Sequence, residues 1–107
     1  MVSLVLKAVI VDDEKLVSDF LKIQLEQTGL ANVVDQFQKP TTALCEIPNL
    51  KPDVVFLDIE LPGMNGIELA TKLLNVYSEI EIVFVTAYNQ YAIEAFKLNA
   101  IHYLLKP

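Results

Sequence analysis

Val54-Val55-Phe56-Leu57-Asp58 is an unbroken apolar run that stops at a carboxylate, and the same figure recurs along the chain. Val9-Ile10-Val11 runs into Asp12-Asp13-Glu14, Ile82-Val83-Phe84-Val85 into Thr86, and Tyr103-Leu104-Leu105 into Lys106-Pro107. A run that is apolar at every position, rather than at every second one, is the mark of a strand covered on both faces, and parallel sheets are covered in that way.

Outward from these runs the element types alternate. The pattern predicts a strand over Leu4–Val11 and a helix over Glu14–Thr28, with Leu16, Val17, Phe20, Leu21 and Leu25 at helical spacing and Gly29 at the C′ position. Asn32–Phe37 is polar-flecked, as suits an edge strand. Pro40–Ile47 reads as a short helix with one proline in its first turn and Pro48 as its stop. Asp53–Leu57 is the most apolar strand and belongs at the centre, and Pro62-Gly63 makes a turn. A helix over Gly66–Val76 follows, with Ile67, Ala70, Leu73 and Leu74 on one face. The last elements are a strand over Ile82–Val85, a helix over Asn89–Leu98 capped by Asn89, and a strand over Ile101–Leu105.

Strands that alternate with helices pair in parallel through right-handed crossovers, so residues 1–107 are expected to form one doubly wound α/β domain with a five-stranded parallel sheet. A fifth helix, expected after Pro107, is absent from this chain. Residues 1–107 are therefore read as the first part of a longer protein, with apolar surface on the first and last strands open to self-association.

Composition narrows the function. The 53% hydrophobic content fits a doubly covered sheet, and no uncharged apolar run approaches the ~20 residues that a bilayer core requires. A net charge of −6 opposes nucleic acid, so no direct contact with it is expected of this domain. Cys45 is alone, which excludes an intrachain disulfide and points to a reducing cytoplasm.

In an open parallel sheet the strand ends share one edge, where ligands bind in the crevice beyond the carboxyl ends. Two adjacent carboxylates, Asp12 and Asp13, repel each other unless a cation lies between them, and hard oxygen ligands at such an edge suit Mg²⁺. Asp58 can complete that site and can attack phosphorus to give an aspartyl-phosphate. The ammonium of Lys106 and the hydroxyl of Thr86 supply donors for phosphoryl oxygens, and the small Ala87 leaves room for the group.

Val11-Asp12-Asp13-Glu14, Phe56-Leu57-Asp58-Ile59-Glu60-Leu61-Pro62-Gly63-Met64-Asn65-Gly66, Val85-Thr86-Ala87 and Leu105-Lys106-Pro107 together resemble the signatures of the receiver domain of bacterial two-component response regulators. The resemblance implies a flavodoxin-like fold with strand order 2-1-3-4-5, with Asp58 as phosphoacceptor and a sensor histidine kinase as phosphodonor. It implies Mg²⁺ held by Asp13, Asp58 and the Glu60 main-chain carbonyl, with Asp12 acting mainly through water. Thr86, Ala87 and Lys106 would sense the phosphate, Tyr103 would be a switch aromatic, and Lys106-Pro107 would be cis. Glu60 and Tyr88 flank the path of water to the acyl phosphate and are expected to tune its lifetime. The segment from Thr86 to Pro107 looks like receivers that precede a LytTR DNA-binding domain, which implies an output domain in the same full-length chain, transcription regulation and a homodimer through the face formed by the fourth helix and the fifth strand. His102 is read as an exposed strand residue, and Gly63 and Gly66 as turn glycines.

Competing readings are weaker. A Mg²⁺-dependent phosphohydrolase with an Asp nucleophile needs an acid/base Asp where Glu60 stands, and a cap insertion that this chain lacks. A flavin carrier wants N–H and hydroxyl donors after the first strand, where three acids stand instead. Self-modification at Asp58 is not turnover, so the chain is not expected to be an enzyme.

Overall fold

The computed structural model describes residues 5–97 and 102–106. The elements are β1 Leu6–Val11, α1 Lys15–Gln27, β2 Ala31–Phe37, α2 Pro40–Leu50, β3 Val54–Leu57, α3 Gly66–Val76, β4 Glu81–Thr86, α4 Ala92–Lys97 and β5 His102–Leu105. The strands form one parallel sheet in the order β2-β1-β3-β4-β5, as expected. Leu4, Leu98 and Ile101, expected at element ends, lie outside the described residues, and so does Pro107 with its expected cis bond.

The continuous apolar runs are buried on both faces. Ala8 to Val11 are all buried, as are Val54, Val55 and Leu57, which puts β1 and β3 at the centre of the molecule. The larger core lies on the face covered by α2, α3 and α4, around Phe84, Ile47, Leu69 and Leu73. A smaller cluster of Ala8, Ile10, Val33, Val54 and Val83 lies on the α1 face. There Leu21 and Leu25 pack inward, whereas Leu16 and Phe20 of the expected helix face are exposed. Leu6, at the start of β1, and Leu104, on edge strand β5, remain about half exposed, at 49% and 48%. Edge strand β2 skips a residue against β1 between Ala8 and Val9, an irregularity common at sheet edges. His102 is exposed, as expected.

Three local expectations need correction. Pro48 does not stop α2, which runs on to Leu50 and closes at Lys51 in the left-handed conformation, its N–H donating to the Ile47 carbonyl at 3.1 Å. Proline removes one helical donor, and in the last turn that loss is small enough for the helix to continue. α4 begins at Ala92, because Asn89 starts a turn in which its carbonyl accepts from the Ala92 N–H at 3.3 Å. Gly66 is not a turn glycine: it opens α3, and a Cβ there would lie 2.1 Å from the Asp58 carbonyl oxygen. Gly63, with φ at 84°, is the residue that needs glycine for its turn.

Candidate functional site

The parallel ladder continues past the strands and carries the chemically active residues with it. Asp12 follows β1, and its N–H donates to the Phe37 carbonyl of β2 at 2.9 Å. Asp58 follows β3, its N–H donating to the Val11 carbonyl at 2.9 Å, and Lys106 follows β5, donating to the Thr86 carbonyl at 2.7 Å. Backbone pairing thus sets Asp58 beside the end of β1 and Lys106 beside Thr86 at the end of β4, and the Lys106 side chain reaches across that end to the acids. On the far side Asn65 caps α3, its side chain accepting from the Ile67 N–H at 2.6 Å, and the Gly66 N–H binds the Ile59 carbonyl at 2.7 Å, which closes the loop after Asp58.

The side chains converge on one ammonium. Lys106 Nζ lies 2.8 Å from Asp58 Oδ2, 2.9 Å from Asp12 Oδ2 and 3.4 Å from Glu14 Oε1. The second oxygens are also engaged: Asp58 Oδ1 accepts from the Ile59 N–H at 2.7 Å, and Asp12 Oδ1 from the Glu14 N–H at 2.9 Å. Asp12 and Asp58 are each only 5% exposed, while Asp13 and Glu14 face solvent. One ligand atom from each of Asp12, Asp13, Glu14 and Asp58 lies within 4.8 Å of the others.

Four carboxylates around one ammonium leave this pocket net negative. Burial pushes the Asp12 carboxyl above its usual range, and this outweighs the lowering by the Glu14 N–H and by Lys106. For Lys106 burial works against the charge, but hydrogen bonds from its ammonium to Asp58 and Asp12 overcome it and hold the group well above the ordinary lysine range. The two groups move for different reasons: Lys106 gains from both Asp58 and Asp12, enough to outweigh its burial, whereas at Asp12 burial prevails over the help of the same cation. An all-oxygen set, half buried and half open to water, fits a hard divalent ion that keeps part of its hydration shell.

The remaining expected residues form a second group beside the pocket. Thr86 is fully buried, and its hydroxyl oxygen accepts from the Tyr88 N–H at 3.4 Å. Ala87 is exposed and lines a groove with Glu14, Lys106, Leu16, Val17 and Phe20. Tyr103 is half-buried against Phe84, with ring centroids 6.3 Å apart, and its hydroxyl donates to the Tyr88 carbonyl. Glu60 is exposed, and its carboxylate is not among the clustered acids; it accepts from the Tyr91 hydroxyl at 2.5 Å. Tyr91 meets Tyr88 edge-on, with centroids 6.5 Å apart and planes at 82°. Sequence reasoning had no role for Tyr91 or for the Glu14 side chain. The acid after the Asp pair was the only available hint of Glu14, and no local signal joins Tyr91 to a residue 31 positions away.

Comparison with known proteins agrees with this geometry. The family profile "Response regulator receiver domain" matches residues 8–107. Over 102 residues the chain is 46% identical to an uncharacterized response regulatory protein of Vibrio cholerae serotype O1, covering 95% of this chain and 43% of that protein. It is 45% identical over the same length to the sensory transduction protein LytT of Bacillus anthracis, covering 95% and 42%. The chain thus spans less than half the length of these relatives. Among solved structures, the isolated REC domain of RcsB from Salmonella enterica serovar Typhimurium, determined with the phosphomimetic BeF3−, superposes with a TM-score of 0.88 at 27% identity, covering 95% of this chain and 78% of that one. With its strand order, its acid-and-lysine pocket and these matches, the chain belongs to the response regulator receiver domain family.

Proposed function

We propose that this domain is switched by phosphorylation of Asp58. The observation that carries the reading is the Lys106 ammonium, sent from the end of β5 across the end of β4, lying between Asp58 and Asp12 at the ends of β3 and β1. An Asp58 oxygen attacks the phosphorus of the donor, a phosphohistidine of a sensor kinase, and the bond from phosphorus to the donor nitrogen breaks. Asp13, Asp58 and the Glu60 carbonyl would hold Mg²⁺ directly, with Asp12 acting through water. Bound there, the ion offsets repulsion between the acceptor carboxylate and the incoming phosphoryl group. Lys106 exchanges its carboxylate partners for a phosphoryl oxygen, and Thr86 gives its hydroxyl to another, beside the space left by Ala87.

The readout follows from what Thr86 leaves behind. Its hydroxyl holds the Tyr88 N–H and the Tyr88 carbonyl takes the Tyr103 hydroxyl, so a Thr86 that turns to the phosphate frees Tyr103 to turn inward and alters the α4–β5 surface. A second copy or an output domain of the full-length protein docks there. Relatives called LytT support a LytTR-type output that binds DNA and regulates transcription, while this acidic domain touches neither nucleic acid nor membrane and works in the cytoplasm. Glu60 and Tyr88 set the phosphate lifetime. The chemistry is self-modification and self-dephosphorylation rather than enzymatic turnover.

The test is intact mass after incubation with acetyl phosphate and Mg²⁺. A gain of about 80 Da that Asp58→Asn abolishes is expected. An unlabelled protein, or steady turnover of p-nitrophenyl phosphate, would count against the reading.

A further inference from the structure

Glu60 stands two residues after the acceptor, on the loop that leaves β3. A carboxylate on that loop, when unpaired, can serve as a base for a water attacking an acyl phosphate. In this chain it is not free. The Tyr91 hydroxyl donates to Glu60 Oε1 at 2.5 Å, and the Glu60 carboxylate lies outside the acidic cluster that surrounds Asp58.

Tyr91 is itself held. It stands immediately before α4, its carbonyl accepts from the Ala95 N–H at 3.0 Å, and its ring meets Tyr88 edge-on. Tyr88 is tied in turn to Thr86 through its N–H and to Tyr103 through its carbonyl. The position of the Glu60 carboxylate is therefore linked to the segment that carries the phosphate-sensing threonine.

We infer that Tyr91 is a positioning residue that draws the Glu60 carboxylate away from Asp58 and thereby prolongs the phosphorylated state. The inference rests on phosphorylation at Asp58 and adds a residue that sets its rate of loss. In that loss a water oxygen bonds to phosphorus while the bond from phosphorus to the Asp58 oxygen breaks. The electron pair returns to the Asp58 carboxylate, inorganic phosphate leaves, and the water proton passes to Glu60 when that carboxylate is unclasped, or to solvent when it is not.

The experiment follows loss of the Asp58 phosphate by intact mass after donor removal, in wild type, Tyr91→Phe, Glu60→Gln and the double variant. Tyr91→Phe keeps the ring and deletes one hydroxyl, so a folded protein with only a small fall in melting temperature is expected. Loss should speed up about three- to tenfold in Tyr91→Phe, the worth of one hydrogen bond expressed as a rate. The acceleration should vanish in the Glu60→Gln background, which a merely structural role for Tyr91 does not predict. Labelled protein with unchanged loss in Tyr91→Phe, or with the same acceleration in both backgrounds, overturns the inference alone. A wild type that gains no label at Asp58 overturns both it and the phosphorylation reading.

Discussion

The acidic pocket and the segment from Ala87 to Lys97 share one edge of the sheet and are held there by different means. Asp12, Asp58 and Lys106 sit on backbone ladder bonds that extend β1, β3 and β5, and Asp12, Asp58 and Thr86 are nearly or fully buried. Ala87 to Gln90 are exposed, and α4 is a helix of six residues, its approach secured by tyrosine hydroxyls on Glu60 and on the Tyr88 carbonyl. Ladder bonds break only with the sheet, whereas a hydroxyl can change partners with little else moving. The proposed switch calls for chemistry held fixed and a surface free to change, and here the two kinds of hold meet at Thr86, the last residue of β4.

The fixed side breaks most severely through its backbone. Gly66→Ala forces a Cβ to within 2.1 Å of the Asp58 carbonyl oxygen and 2.7 Å of the Ile59 Cα, and neither is a flexible side-chain end. Urea denaturation should show a loss of about 3 kcal/mol or more. Gly63→Ala meets only the strain of its positive φ and should cost about 1 kcal/mol. Equal losses at the two positions would remove the close approach as the reason for glycine at 66.

Next in size is the effect of the divalent ion on the pocket. Saturating Mg²⁺ should stabilise the protein by about 1–3 kcal/mol, reversed by chelator. Asp13→Asn should abolish the increment even though Asp13 is exposed. An increment that survives in Asp13→Asn would place the ion elsewhere.

Asp12 sharpens the comparison through pH. Its folded pKa lies above the unfolded value of 3.8, so across that window the folded state binds more protons than the unfolded one, and stability falls as pH rises through it. Without Mg²⁺, Asp12→Asn should therefore be more stable than wild type at neutral pH, and the gain should disappear in acid below the window. Denaturation at pH 7 and near pH 3 checks the sign, and a variant that is less stable at pH 7 would show that pairing with Lys106 outweighs burial.

The smallest effect belongs to the movable side. Tyr88→Ala is expected to open the approach of water to an Asp58 phosphate and to speed its loss about threefold, under 1 kcal/mol of barrier. Equal or slower loss would remove Tyr88 from that path.

The fold was legible because its signals are local and strong. Doubly buried strands gave continuous apolar runs, Gly29 closed α1 with φ at 73°, and a polar-flecked segment marked edge strand β2. The likeness to LytTR-type receivers over Thr86–Pro107 is matched by relatives that bear the name LytT. The gathering of Asp12, Asp58 and Lys106 just past their strands, with Thr86 at the end of β4, was legible because parallel register fixes where strand ends lie. What escaped depends on how side chains cross between loops: the reach of Glu14 to Lys106 and the clasp of Tyr91 on Glu60. Pro48 and the start of α4 escaped because breaker and capping residues act by a balance of a few hydrogen bonds at helix ends, and neighbouring contacts tip that balance.

A crystal structure of this domain grown with Mg²⁺ and BeF3− tests the central claim most directly. The account expects the fluoride group on Asp58 and the ion on Asp13, Asp58 and the Glu60 carbonyl. It also expects Lys106 Nζ to have moved from Asp12 to a fluorine and the Thr86 hydroxyl from the Tyr88 N–H to another. An ion bound away from these acids, or a Thr86 hydroxyl still on Tyr88 with the fluoride group in place, would contradict it.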